Sequence, residues 1–289
     1  MIHNTITSSI ALIGLFFATI TDLKTREVPD WLSYGLICSG LGLNLLFSFI
    51  YSNYWFIINS IIGFLVFLIF ALVMFYAGQW GGGDSKVIMG LGALIGLNIK
   101  QKDFPMLISF FTNMLLLGSI YGLTWSLTLI FKNKKKVWKE FRRTLHSKKA
   151  TRMRMLAITL VVTTIILGII IKETIYKIIM IVLLITTIAT FYLWAIVKAI
   201  EKVCMIKEVT PHKLTEGDWI AKEIRYKGKY ICGPKDLGIE KSQIRMLIKL
   251  YKKKKIKKVT IKEGIPFVPS FFIAFIVTIL FGNILFLII

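Results

Sequence analysis

Acids are the scarce residues in this chain. Fifteen Asp and Glu stand against 37 Lys and Arg, and up to residue 131 only Asp22, Glu27, Asp30, Asp84 and Asp103 carry a carboxylate. Cysteine and histidine are scarcer still, at three each. Cys38, Cys204 and Cys232 form no CxxC, and the histidines do not cluster, so neither a disulfide framework nor a zinc site follows. No metal and no cofactor are expected, and His146 and His212 read as surface residues. Charged residues make up only 18% of the chain, against roughly 25% in a soluble globular protein. Together with several apolar runs of about 20 residues, that excludes an ordinary soluble domain and indicates a polytopic membrane protein.

Hydrophobic residues fill 56% of the sequence. They concentrate at about 5–21, 31–50, 56–78, 85–97, 106–131, 155–171, 178–197 and 266–289, which predicts about eight transmembrane helices. The first run, ITSSIALIGLFFATI, lacks a basic flank before it and a small-residue cleavage site after it, so a retained helix is expected. The fourth, SKVIMGLGALIGL, is short for a span, and Gly90, Gly92 and Gly96 suit close packing against a neighbour.

The net charge of +22 would suggest nucleic acid in a soluble protein, but its distribution points elsewhere. With the N-terminus outside, segments 22–30, 79–86, 132–154 and 198–264 face the cytoplasm and hold 33 of the 37 Lys and Arg. That bias is what the positive-inside rule predicts. Asp103 then lies in an external loop. The loop KNKKKVWKEFRRTLHSKKATRMR, with Glu140 as its one acid, reads as an anchor on anionic lipid headgroups rather than a nucleic-acid site.

The expected segmentation is a membrane core at 1–131, a basic cytoplasmic loop at 132–154, an additional transmembrane hairpin at 155–197, a cytoplasmic module at 198–264 and a last transmembrane helix at 265–289. The module reads as α+β. GDWIAKEIRYKGKYICG alternates like strands around a YKGKY turn, Ile244, Leu247, Ile248 and Tyr251 follow a helical period, and KKVTIKEG reads as a further strand. The predicted class is therefore an all-α polytopic membrane protein with a small cytoplasmic α+β module.

Two of the five early acids stand out. Glu27 and Asp30 fall in the loop KTREVPDW, where Pro29 ends any continuing helix. Asp22 sits at the inner end of the first helix, and Asp84 at the inner end of the fourth. Ionisable residues at helix depth cost roughly 2.5–3.5 kcal/mol to insert and are usually functional. The bland readings are a solvated helix end for Asp22 and an N-cap for Asp84. As a pair at one membrane border they can do more. Two close carboxylates resist ionising together and share a proton, so one can take a proton from water while the other polarises a carbonyl. Gly81, Gly82 and Gly83, without Cβ atoms, let the backbone approach a helix or a substrate strand.

These stretches carry a resemblance. TDLKTREVPDWLSYG (21–35) resembles the first aspartate motif of the type IV prepilin peptidases, and GGGDSK (81–86) is similar to their second, G-x-G-D-x-K, at Gly81, Gly83, Asp84 and Lys86. EGIPFVPSFFIAF (263–275) looks like the start of the terminal helix in archaeal members, including relatives of the preflagellin peptidases. The resemblance implies a membrane aspartic endopeptidase that removes a short basic class III leader from pilin-like or archaellin precursors on the cytoplasmic side. In that frame Asp22 and Asp84 are the catalytic pair, Gly81 and Gly83 shape the motif, and Lys86 matches a motif position without a catalytic role. Glu27 and Asp30 are candidates to attract the basic leader. The short loop between the first two helices lacks the cysteine zinc module of the bifunctional bacterial members, so no N-methylation is expected.

Other readings fit less of the chain. Eight helices, intramembrane glycines and an acidic pair also describe a transporter or channel with a cation or proton site, but no broken-helix repeat stands out and both acids fall at one border. The signal-peptide-peptidase and presenilin type places a Tyr-Asp motif on the helix directly before its GxGD, whereas Asp22 follows Thr21 and lies three helices earlier. A dinucleotide loop would need a strand before the glycines.

Overall fold

The computed structural model describes residues 2–98, 104–171 and 173–288; Asp103 lies outside them. In chain order the helices are α1 (Ile2–Thr25), α2 (Asp30–Ile50), α3 (Trp55–Tyr76), α4 (Gly82–Ile95), α5 (Met106–Lys132), α6 (Lys134–Leu145), α7 (Lys148–Ile170), α8 (Thr174–Ile200), α9 (Lys241–Lys252), α10 (Val268–Phe281) and α11 (Leu285–Ile288). The strands are β1 (Ile206–Val209), β2 (Trp219–Ile220), β3 (Ile224–Tyr226), β4 (Lys229–Cys232) and β5 (Val259–Lys262). The chain forms two compact units, one made of residues 1–124, 210–257 and 263–289, the other of 125–209 and 258–262.

All eight apolar segments fold as helices, but they are not equivalent spans. Six helices among the described residues are long and apolar enough to cross a membrane: α1, α2, α3, α5, α7, and α8 with its continuation to Met205. This makes the chain a multi-pass membrane protein. Helices α4 and α10 have 14 residues each, about 21 Å at 1.5 Å per residue, short of a hydrocarbon core of roughly 30 Å. Each stops where a glycine takes a positive φ, at Gly96 (67°) and Gly282 (69°).

The first unit is organised around α4. This helix packs on α1, α2 and α3, and Val87, Ile88, Leu91, Ala93 and Leu94 are all buried. Glycine makes that approach possible. A Cβ on Gly90 would sit 2.7 Å from Leu36 Cβ, and one on Gly92 would lie 2.9 Å from the Gly63 carbonyl carbon. Polar bonds latch the same helix. Ser60 Oγ (2.6 Å) and Asn44 Nδ2 (3.2 Å) both donate to the Ala93 carbonyl, one of the end carbonyls that a helix leaves without an internal donor. The apolar core continues through Leu15, Phe67, Phe110, Phe271 and Phe275.

Residues 210–257 of this unit carry the β3–β4 hairpin and α9. Lys227 and Gly228 at the hairpin tip both have positive φ, 49° and 78°, the conformation that a two-residue turn matched to strand twist requires. Helix α9 buries Leu247 of the expected stripe together with Leu250 outside it, while Ile244, Ile248 and Tyr251 are half-buried. Trp219 brings this module against the membrane core: its ring lies 3.5 Å from where a Cβ on Gly78 would be.

In the second unit α7 and α8 pack on each other, and α6 lies along α8. Val137 and Phe141 of α6 pack against Ala195, Ala199 and Ile200 at the end of α8. Strand β1 pairs antiparallel with β5, Ile206 opposite Lys262 and Val209 opposite Val259.

Candidate active site

Asp22 lies in the last turn of α1 and is 4% exposed. A carboxylate so placed needs donors, and α10 supplies them. The backbone N–H of Val268 donates to Asp22 Oδ2 at 3.0 Å, and the backbone of Phe267 also bonds to it. Val268 opens α10 and Pro269, which has no N–H, follows it, so the Val268 N–H, left without an acceptor within the helix, meets this acid at the favourable end of the helix dipole. Arg26 bends the chain out of α1 at φ 62°, with its backbone N–H on the Asp22 carbonyl at 3.0 Å. Its side-chain charge acts on Asp22. Tyr121 of α5 lies within electrostatic reach of both Asp22 and Arg26.

Asp84 is half-buried in the first turn of α4. The expectation of an N-cap needs correction. Gly81 occupies the cap, and Asp84 is the third helical residue, its Oδ2 accepting the Gly81 backbone N–H at 3.1 Å. It reaches back to the cap in the way the acidic member of a capping box does. Helices α1 and α4 pack together, and the Asp22 and Asp84 carboxyls lie within electrostatic reach of each other.

The three glycines are not equivalent either. A Cβ on Gly83 would meet the Val28 backbone nitrogen at 3.2 Å, one on Gly81 would meet nothing nearer than Asp84 Oδ2 at 3.7 Å, and one on Gly82 would meet nothing within 4 Å. Close approach is thus a property of Gly83, which packs the second motif directly on the loop of the first. Trp80, just ahead of them, is buried with its ring 5.1 Å from Phe271 and 5.3 Å from Phe70.

Lys86 Nζ pairs with Asp30 Oδ1 at 2.6 Å and sits 4.9 Å from the Tyr34 ring. The bridge ties α4 to the first turn of α2, so Asp30 already has an internal cation. Glu27 is exposed in the short α1–α2 connection. Among the described residues no three His, Cys, Asp or Glu side chains gather as a metal-ligand set. Sequence reasoning missed Val268, Arg26, Tyr121 and Trp219. Only the first had a visible signal, the Pro269 that marks the start of α10.

Residues 9–123 match the type IV leader peptidase family, and the resemblance drawn from the two aspartate motifs stands for that part of the chain. The chain is similar to the preflagellin peptidase of Methanocaldococcus jannaschii, 45% identical over 86 residues that make up 30% of this chain and 36% of that protein. It is similar to the preflagellin peptidase of Methanococcus voltae, 42% identical over 87 residues, 30% of this chain and 37% of the other. A third such relative, from Methanococcus maripaludis, is 37% identical over 86 residues, 30% and 37% of the two chains. The chain thus spans little more than a third of the length of the curated relatives it matches. No solved structure matches it.

Proposed function

We propose that this protein is a membrane aspartic endopeptidase that removes the short basic leader from archaellin or pilin-like precursors at the cytoplasmic border of the membrane. One observation carries the reading. In a segment that matches the leader peptidase family, Asp22 and Asp84, two of the few acids in the amino-terminal half, end up on packed helices within reach of each other's charge.

In the proposed reaction a water is held between the two carboxyls. The ionised one takes a proton from that water as its oxygen bonds to the scissile carbonyl carbon. The protonated one gives its proton to the carbonyl oxygen, so a neutral tetrahedral diol forms. The diol then collapses: a proton passes to the departing amide nitrogen, the C–N bond breaks, and the pair returns to one proton shared between two acids. The Val268 and Gly81 N–H groups fix one oxygen of each acid, which leaves the other for water and substrate. Gly83 lets the two motif loops close on each other, and the Lys86–Asp30 bridge holds them in register. Glu27, exposed beside the site, is the group we assign to the basic leader, since Asp30 is already paired. No cofactor takes part and no N-methylation follows. The basic loop 132–154 rests on anionic lipid headgroups, and nucleic acid is not a partner.

Co-expression with an archaellin or pilin-like precursor, read as a size shift, tests the proposal. Asp22→Asn and Asp84→Asn should each cut turnover on the order of 10⁴-fold while the protein still inserts and folds. Cleavage that survives either change removes that residue from the mechanism. Cation flux through liposomes that the same changes abolish, with no cleavage by the parent chain, would replace the peptidase with a transporter.

A further inference from the structure

The second unit holds a feature that the proposed reaction does not use. A cleft of about 880 Å³ opens beside α6, the start of α7 and the residues just past α8, lined by Arg142, Arg143, His146, Ser147, Lys202 and a single acid, Glu140. Glu140 is committed to its neighbours, with Lys202 Nζ at 3.0 Å and Arg143 at 3.8 Å. Three permanent cations against one carboxylate leave the cleft positive. Arg142 stands over the Trp138 ring at 5.5 Å, which orients its guanidinium. A guanidinium has five donors in a fork that fits a phosphate oxygen pair, and one carboxylate cannot occupy the donors of two arginines and a lysine.

The surroundings select among anions. Lys148, Lys149, Arg152 and Arg154 follow in the first two turns of α7, after which both α7 and α8 are apolar and exposed, with Leu156, Ile158, Leu160, Ile179 and Val182 bare. Lys202, just past the end of α8, lines the same cleft. Trp138, its ring stacked on Phe141 of α6, is 52% exposed, where an indole suits the bilayer boundary. A free inorganic anion would use only the charge. A phospholipid would use the charge for its phosphodiester and the bare hairpin for its hydrocarbon chains.

We infer that this cleft is a headgroup site for an anionic phospholipid, with Arg142, Arg143 and Lys202 gripping the phosphodiester and the α7–α8 hairpin receiving the chains. The inference rests on the membrane reading of the hairpin and is independent of the peptidase reading.

Native mass spectrometry of the full chain, released from mixed micelles of phosphatidylglycerol and phosphatidylcholine, tests it. One phosphatidylglycerol should be retained in preference to phosphatidylcholine. Arg142→Gln with Arg143→Gln should weaken that retention about 10- to 30-fold. Lys252→Gln with Lys253→Gln, the same charge loss at the end of α9 and outside both the cleft and the basic loop, should change it less than about twofold. Millimolar inorganic phosphate should not displace the lipid. Equal retention of both lipids, equal losses in the two double variants, or displacement by phosphate would each overturn the site, the second in favour of diffuse attraction and the third in favour of a free-anion site. Precursor cleavage measured on the same samples reports separately on the peptidase.

Discussion

Helix α4 and the α7–α8 hairpin solve the problem of living in lipid in opposite ways. Helix α4 has 14 residues, buries most of its length, and is gripped by glycine contacts on Leu36 and Gly63 and by hydrogen bonds to Ala93. The hairpin helices are 23 and 27 residues long, and their buried residues are few: Ala150 and Thr164 on α7, Ala195, Ala199 and Ile200 on α8. Lipid offers no hydrophobic drive for helix association, so tight contact must come from small residues and polar bonds. The chain places glycine contacts and interhelical hydrogen bonds on the helix that carries Asp84. On the hairpin a few small residues make the contacts, and most of the apolar surface stays bare.

That contrast is easiest to break at its glycines. Gly92→Ala forces a methyl against the Gly63 backbone, which has no flexible end to move aside, and should cost about 3 kcal/mol. Gly168→Ala on α7 puts its methyl 3.9 Å from Met180 Cβ, ordinary contact, and should be neutral or stabilise by up to about 1 kcal/mol. Thermal unfolding of the two variants in the same micelles checks this, and equal shifts would erase the distinction between the regions. Within the motif, Gly83→Ala should lower stability by about 1–2 kcal/mol by pushing on Val28, and reduce cleavage with it. Gly82→Ala should stay within about 0.5 kcal/mol of the parent. The smallest effect belongs to Lys86→Ala. Asp30 is 71% exposed at the side chain, and an exposed ion pair is worth about 0–1 kcal/mol, so stability should hardly move. A loss of activity beyond a few-fold would mean that Lys86 touches substrate.

How much of this was legible follows from what each signal depends on. Apolar runs report directly on helices, and every one predicted here is a helix. Span length was less legible, because an apolar run at 266–289 does not reveal that Gly282 breaks it, nor does 85–97 reveal a helix enclosed by protein. The acids at 22 and 84 stood out because their half of the sequence has so few. The cap position of Asp84 did not, since Gly81 and Asp84 are both plausible caps in GGGD and only the backbone decides. The donor to Asp22 was hard to read for a different reason: a main-chain N–H belongs to nearly every residue, and Pro269 marks where α10 starts without revealing which acid that start meets. The unequal burden on Gly81, Gly82 and Gly83 was hidden likewise, since it depends on where Val28 lies.

The bond from Val268 to Asp22 joins residues 246 positions apart. A ribosome adding roughly 5–20 residues per second needs some 12–50 seconds to make that interval, and through all of it the first acid waits without its donor. Both aspartate motifs have emerged long before, yet Asp22 meets this donor only when nearly the last helix docks. On the proposed peptidase reading, the order of translation would therefore hold the site incomplete until synthesis is nearly over.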